Sequence, residues 1–272
     1  MKDTMVAMWT YNRFELARVT ALCVLAFAPK SPFVVSDDCS DDPRLDAWFG
    51  SLAKRGLLKY HRQPKNGGAG RQYQWAAVNL APHAPRYLMF IDSDLFLAPD
   101  ALQTLRKAYQ HWRNRSTTAG FLTAIPIESL LPEVTGEEYQ LWYGNGDSPL
   151  FIIPSKLYNR LGKYIERGRS RHLGTFTKKM NREGRRRAYC VSPRVNLCHL
   201  GTIETTIHHS GKGTGPSYWG GRGPCSLPCG FDLDWFIRDY PHSAVDIGNR
   251  LRDEFLWGGD FYAAKEADGL VI

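Results

Sequence analysis

The sequence predicts an α/β fold, a mostly parallel central sheet flanked by helices, with a less regular C-terminal half. Three observations carry this. Short apolar runs alternate with longer stretches of helical spacing through roughly the first 115 residues. Each apolar run ends in polar residues, as strands do where a parallel sheet opens onto its ligand. After about residue 116 the alternation loosens, while the composition, 43% hydrophobic and 23% charged, stays that of a globular chain.

The elements follow in order. "TMVAMWT" (4–10) is a strand running into Tyr11-Asn12-Arg13, and "FELARVTALCVLAFA" has helical spacing closed by Pro29. "PFVVSDD" is a strand ending in acids, "PRLDAWFGSLAKRG" a helix and "LLKYHRQ" a strand. "NGGAGRQYQWAAVNLA" reads as a glycine turn feeding a helix, "RYLMFID" as a strand, and "PDALQTLRKAYQHWRN" as a helix with proline in its first turn. Further on, "AGFLTAIPI" and "SPLFIIPSKLY" read as strands, the second followed by a helix at "PSKLYNRLGKYIERG". "DLDWFIRDY" and "GNRLRDEFLWGGDFYAAKEA" are candidate terminal helices, and the Gly/Pro-rich stretch between them and His209 is a candidate lid or ordered loop.

The polar strand ends locate a site. Asp92-Ser93-Asp94 follows the run "YLMFI", and apolar residues resume at once. Two carboxylates that close repel unless a cation lies beside them, and a hard divalent ion with oxygen ligands, Mn²⁺ or Mg²⁺, suits the pair. The bland alternative is a turn that caps the next helix. The parallel endings at Thr10-Tyr11-Asn12 and Asp37-Asp38 favour the site.

With those residues in view, the first 110 residues resemble the nucleotide-binding half of GT-A (Rossmann-like) glycosyltransferases of the family 2 type. "TYNR" (10–13), "VVSDDCSDD" (34–42), "NGGAGRQYQWAAVN" (66–79) and "FIDSD" (90–94) occur in that family's order and approximate spacing. The resemblance implies a nucleotide-sugar-binding half at 1–115 and an acceptor-binding half at 116–272 of one domain. It implies a UDP-sugar donor, with Asp37 or Asp38 meeting the base and Thr10, Tyr11 and Arg13 lining the pocket. Asn66, Gly67 and Gly70 would let backbone approach the donor, the helix N-terminus favouring phosphate. Asp92 and Ser93 would lie against the ribose or the metal, and Asp94 would ligate the metal on the diphosphate. By the same likeness "SPRVNLCHLGTIET" makes His199 a candidate third metal ligand, His208 and His209 being weaker ones. Lys212 and Trp219 could close over the donor.

An inverting transfer needs a carboxylate base, which the family commonly takes from a Glu-Asp pair downstream. No such pair follows Asp94 here. Asp147, then Asp232 and Asp234, are the candidates, and a retaining mechanism stays open.

Charge bears on the acceptor. Residues 163–187 hold ten Lys/Arg against two Glu, a net of +8, which equals the formal charge of the whole chain. With Tyr164, His172 and Phe176 interleaved, the segment suits a phosphate backbone, such as hydroxymethyl-modified viral DNA. A solvated loop, an anionic membrane, and glycan, lipid or protein acceptors are the alternatives. A nucleotidyltransferase would want a Gly/Arg-rich phosphate loop that "AMWTYNRFE" lacks, and a purely nucleic-acid-binding protein leaves the strand-end acids without a role.

The longest apolar run, Val19 to Ala28, is well short of the roughly 20 residues that cross a membrane. The start shows no signal-type stretch, so an intracellular, cytoplasmic chain is expected, virus-encoded if the acceptor is viral DNA. Cys225 and Cys229 could join Cys190, Cys198 or His199 around zinc, but free thiols are expected in a reducing compartment.

Overall fold

The structure, a computed structural model, describes residues 1–97, 100–124, 140–143, 149–162, 172–191 and 197–199. Strands and helices alternate first as β1 (Thr4–Thr10), α1 (Phe14–Phe27), β2 (Phe33–Asp37), α2 (Pro43–Lys54), β3 (Lys59–Arg62), α3 (Gly68–Asn79) and β4 (Tyr87–Ile91). Then come β5 (Leu95–Leu97), α4 (Ala101–Arg115), β6 (Ala119–Ala124), β7 (Gln140–Tyr143), β8 (Leu150–Pro154), α5 (Ser155–Gly162), α6 (His172–Arg182), β9 (Arg186–Val191) and β10 (Leu197–His199).

Eight strands form one sheet in the order β3-β2-β1-β4-β8-β6-β9-β7. Pairings from β3 through β4 are parallel, as is β6 with β9, and β8 and β7 run against their neighbours. The two halves read from the sequence thus share one sheet, because β8 inserts between β4 and β6. With six strands pointing one way, the sheet has a carboxyl edge, where β1, β2, β3 and β4 end, and an amino edge, where they begin.

Alternation along β1 sends Val6 and Met8 into a core with α1, α2 and α4, and Met5, Ala7 and Trp9 into another with α3, α5 and α6. Both faces being covered, the strands are apolar throughout rather than alternating. Helix α1 is buried nearly all round because it lies between the sheet and the short antiparallel pair β5–β10. On the other face an aromatic slab backs the carboxyl edge. Phe90 stands 5.0 Å from Trp9, 4.9 Å from Phe151 and 4.6 Å from Tyr158, ring to ring.

In sequence the basic segment reads as a run of cations with Tyr164, His172 and Phe176 interleaved. Its described part is a helix, a turn and a strand. Phe176 is buried against Phe121 and Tyr158 rather than interleaved among surface cations. Arg187 is buried too, its guanidinium over Phe121 and Tyr189 at 5.3 and 4.8 Å. The helix forms because Phe176 and Met180, one turn apart, bury an apolar face that outweighs its charged positions. Residues 163–171, Tyr164 among them, and both candidate terminal helices lie outside the described residues.

Candidate active site

Four loops meet at the carboxyl edge, those after β1, β2 and β4 and the one leading into α3. Asn12, Arg13 and Cys39 are the described non-glycine residues with positive φ (55°, 55° and 62°), and all three lie in these loops. Such conformations cost about 1–3 kcal/mol each and persist where surroundings fix them. Here the Asn12 N–H donates to Ser40 Oγ at 2.7 Å, and Asn12 Oδ1 accepts from the Asp41 N–H at 2.8 Å. The first two loops are therefore one clamped unit. Thr10 is buried beneath it, its hydroxyl 3.4 Å from the Asn12 carbonyl, while Tyr11 stands out into solvent.

Both acids after β2 face the protein. Asp37 is fully buried and accepts from the Ser40 N–H and hydroxyl and from the Tyr60 hydroxyl at 3.3 Å. Burial first, then the charge of Asp37, pushes Tyr60 well above its ordinary value, so it stays a donor. Arg62 lies 3.6 Å from Asp37 and donates to the Ser40 carbonyl at 2.7 Å. Asp38 accepts from the Gly67 and Gly68 N–H groups at 3.0 and 2.7 Å. No side chain of the α3 cap itself bonds there, so Asp38 caps that helix from another strand. Two of the N–H groups at this helix start are held by the protein's own carboxylate. Asn66 is exposed, and Gly70 is buried in the first turn of α3.

The turn after β4 is held from both sides. The Asp92 N–H donates to the Pro149 carbonyl at 2.8 Å. Thr20 of α1 grips Leu95, with its hydroxyl 2.8 Å from the Leu95 carbonyl and accepting from the Leu95 N–H at 2.9 Å. Between these anchors Asp92 and Ser93 are half-buried and Asp94 is buried. Asp94 Oδ2 accepts from Arg13 Nη1 at 2.7 Å. A carboxylate 9% exposed is thus set against a guanidinium 32% exposed, across the ends of the adjacent strands β1 and β4. Backbone pairing places His199 opposite Leu95, the residue after Asp94.

The sequence matches Glycosyl transferase family 2 over residues 5–183 of 272. The chain belongs to this family.

Solved structures agree at the level of fold, which is the GT-A architecture expected from the sequence. The family 2 chain is similar to the crystal structure of S. aureus TarS 1–349 (TM-score 0.51, 19% identity, 69% of this chain and 57% of that one). It is also similar to GalNAc-T7 crystallised with UDP, GalNAc and Mn²⁺ (TM-score 0.54, 14% identity, 72% of this chain and 43% of that one). TarS 1–349 in complex with UDP gives TM-score 0.50 at 17% identity, with coverage of 69% and 57%. The match thus spans about half the length of those proteins. Compared with curated protein sequences, the chain finds no match.

For this family 2 chain, no three His, Cys, Asp or Glu side chains converge among the described residues. Among the described residues, the strand-end carboxylates that could hold an ion at the mouth are Asp92 and Asp94. These residues fit a hard divalent cation, being oxygen donors, one of them buried and already balanced by a positive group. Cys190 does not suit a zinc site, since it is packed in the core and burial pushes its thiol up to about 12. Asp147, Asp232, Asp234, His208, His209, Lys212, Trp219, Cys225 and Cys229 lie outside the described residues.

Thr20, Ser40, Tyr60 and Arg62 are site residues unmarked in the sequence reading, and Asn12, marked there only as part of a polar strand end, is the clamp between the first two loops. Arg62 had a readable signal, as the polar end of the strand "LLKYHRQ" beside those of β1, β2 and β4.

Proposed function

We propose that the protein transfers a sugar from a nucleotide-diphosphate donor, UDP-linked by preference, to an acceptor hydroxyl. The observation that carries this reading is Asp94, a buried carboxylate fixed at a strand end 2.7 Å from Arg13. A buried, rigidly presented carboxylate paired with an adjustable cation suits a ligand that brings both a metal and a diphosphate.

In this reading Asp92 and Asp94 hold Mn²⁺ or Mg²⁺. When bound, that ion offsets the charge that develops on the departing diphosphate. Arg13, beside Asp94 at the mouth, would be placed to donate to a phosphate oxygen of the donor. Tyr11, 44% exposed at the mouth, supplies a face for the base. Asp37 and Asp38 act one step back, locking the loops against which the nucleoside lies. The turn is prealigned by Thr20 and Pro149, so little ordering remains when the donor binds. His199 is a candidate further ligand, supported by its backbone place beside Leu95. The donor-facing role stays with residues 1–115 and the acceptor with the remainder. Asp147, Asp232 or Asp234 takes the hydroxyl proton if the reaction inverts.

Neighbouring structures holding UDP, one of them with Mn²⁺, support the choice of donor and ion. For the acceptor, the net +8 of residues 163–187 favours a polyanion, and hydroxymethylated DNA is one acceptor to offer. The test is release of UDP from a panel of UDP-sugars with Mn²⁺, with acceptors offered in turn. Metal-dependent release lost in Asp94→Asn supports the reading. Release that ignores both metal and substitution contradicts it.

A further inference from the structure

The described acids gather at the carboxyl edge of the sheet, where Arg13, Arg44, Arg62, Lys65 and Arg71 also lie. Asp37 ends β2, Asp38, Asp41, Asp42, Asp92 and Asp94 lie in carboxyl-edge loops, and Glu15, Asp46 and Asp100 lie at the starts of helices that leave that edge. At the amino edge the described acids are Asp3 and Glu183, each in an ion pair, with Arg106 and Arg160 respectively.

The amino edge is instead lined with exposed cations. Lys54, Arg55 and Lys59 stand before and at the start of β3, and Lys30 in the turn before β2. Lys2 precedes β1 and Arg86 immediately precedes β4. Arg113 and Arg115 lie in the last turn of α4 ahead of β6, and Arg182 and Arg186 flank the turn into β9. At about 4.8 Å per strand this row runs roughly 30 Å from β3 to β9. Helix dipoles account for Lys54, Arg113, Arg115 and Arg182, which sit in last turns. They do not account for Lys2, Lys30, Lys59, Arg86 or Arg186. Two exposed aliphatic side chains join the row, Leu57 (42% exposed) in the turn before β3 and Val78 (54%) in the last turn of α3.

We propose that the amino edge is a docking surface for an anionic lipid bilayer. A long row of cations with aliphatic tips between them matches a flat negative surface with an apolar interior just beneath. The aliphatic tips have no counterpart on the phosphate backbone of a nucleic acid. No described helix is long and apolar enough to cross a membrane, so the attachment is peripheral. It turns the carboxyl edge away from the lipid, toward acceptors that stand off the surface. The inference does not rest on the sugar-transfer reading.

The test is sedimentation of the full chain with phosphatidylcholine vesicles, with and without phosphatidylglycerol. Binding is expected to the anionic vesicles alone, to fall with added salt, and to weaken at least about fivefold for each cation reversed in Lys54→Glu, Lys59→Glu and Arg86→Glu. Leu57→Asp should weaken it further. A thermal melt without ligand checks that each variant is folded, and the shift produced by UDP with Mn²⁺ is read separately for the donor chemistry. If the triple variant does not fold, Lys2→Ser with Lys30→Ser reads the same surface. No binding to anionic vesicles at low salt overturns the proposal, as does unchanged binding by the reversed variants. Removal of the wild-type chain from the vesicles by duplex DNA would make the edge a nucleic-acid surface instead.

Discussion

Arg13 Nη1 stands 2.7 Å from Asp94 Oδ2, joining the loop after the first strand to the turn after the fourth. The guanidinium sits where a cation must sit if Asp94 is to be buried, so protein and ion are alternatives at one place. Arg13→Ala should therefore lower stability by about 1–2 kcal/mol in the absence of metal, discounted for the partial exposure of Arg13. Added Mn²⁺ should narrow that gap, because the ion then balances Asp94. Thermal melts of both proteins with and without Mn²⁺ measure it, and a gap indifferent to metal would separate Arg13 from the ion.

Asp38 holds the start of α3 through two backbone N–H groups. Asp38→Ala should cost about 2 kcal/mol, as for a strong helix cap. Asp38→Asn, which keeps an acceptor oxygen, should recover part of it. Urea unfolding of the three proteins checks the order.

Thr20 reaches the site from the far side, through the Leu95 backbone. Thr20→Val keeps the shape but leaves two buried backbone groups without their partner. A loss of about 2 kcal/mol is expected, together with weaker metal-dependent UDP binding as the Asp94 turn loosens. A variant that melts lower yet binds UDP normally would show that the turn holds its position without this anchor.

How much of this could be read from the chain alone is a matter of which signals are local. The strand–helix alternation was legible because β1 to β4 are apolar on both faces, and the Asp92–Asp94 turn because acids interrupt such a run. Three-residue β5 and β10 pair across about a hundred positions, and nothing local marks them. The stretch that forms β7 carried no strand signal that was recognised. Helix α6 was obscured by charge, although Phe176 and Met180 one turn apart do mark its buried face. Asp37 and Asp38 show the deeper limit. An acid at a strand end looks the same in sequence whether it meets a ligand or a backbone amide.

The amino edge carries a pH signature of its own. Two Arg106 hydrogen bonds of 2.8 Å hold the Asp3 carboxyl below its ordinary value. A lowered folded value means the pair stabilises fully above the unfolded value of about 4 and loses that contribution as pH falls through the folded one. Asp3→Asn should therefore melt lower at neutral pH by about 1 kcal/mol, and the difference should close in acid. A deficit that persists at low pH would place the loss in packing instead.

The central claim is that Asp94 anchors a divalent ion that holds a nucleoside diphosphate. Calorimetric titration of UDP into the wild-type chain and Asp94→Asn, each with and without Mn²⁺, tests it most directly. The account predicts that Mn²⁺ tightens UDP binding at least tenfold in the wild type, about 1.4 kcal/mol, and not in the variant. Equal UDP affinity in all four titrations would contradict it.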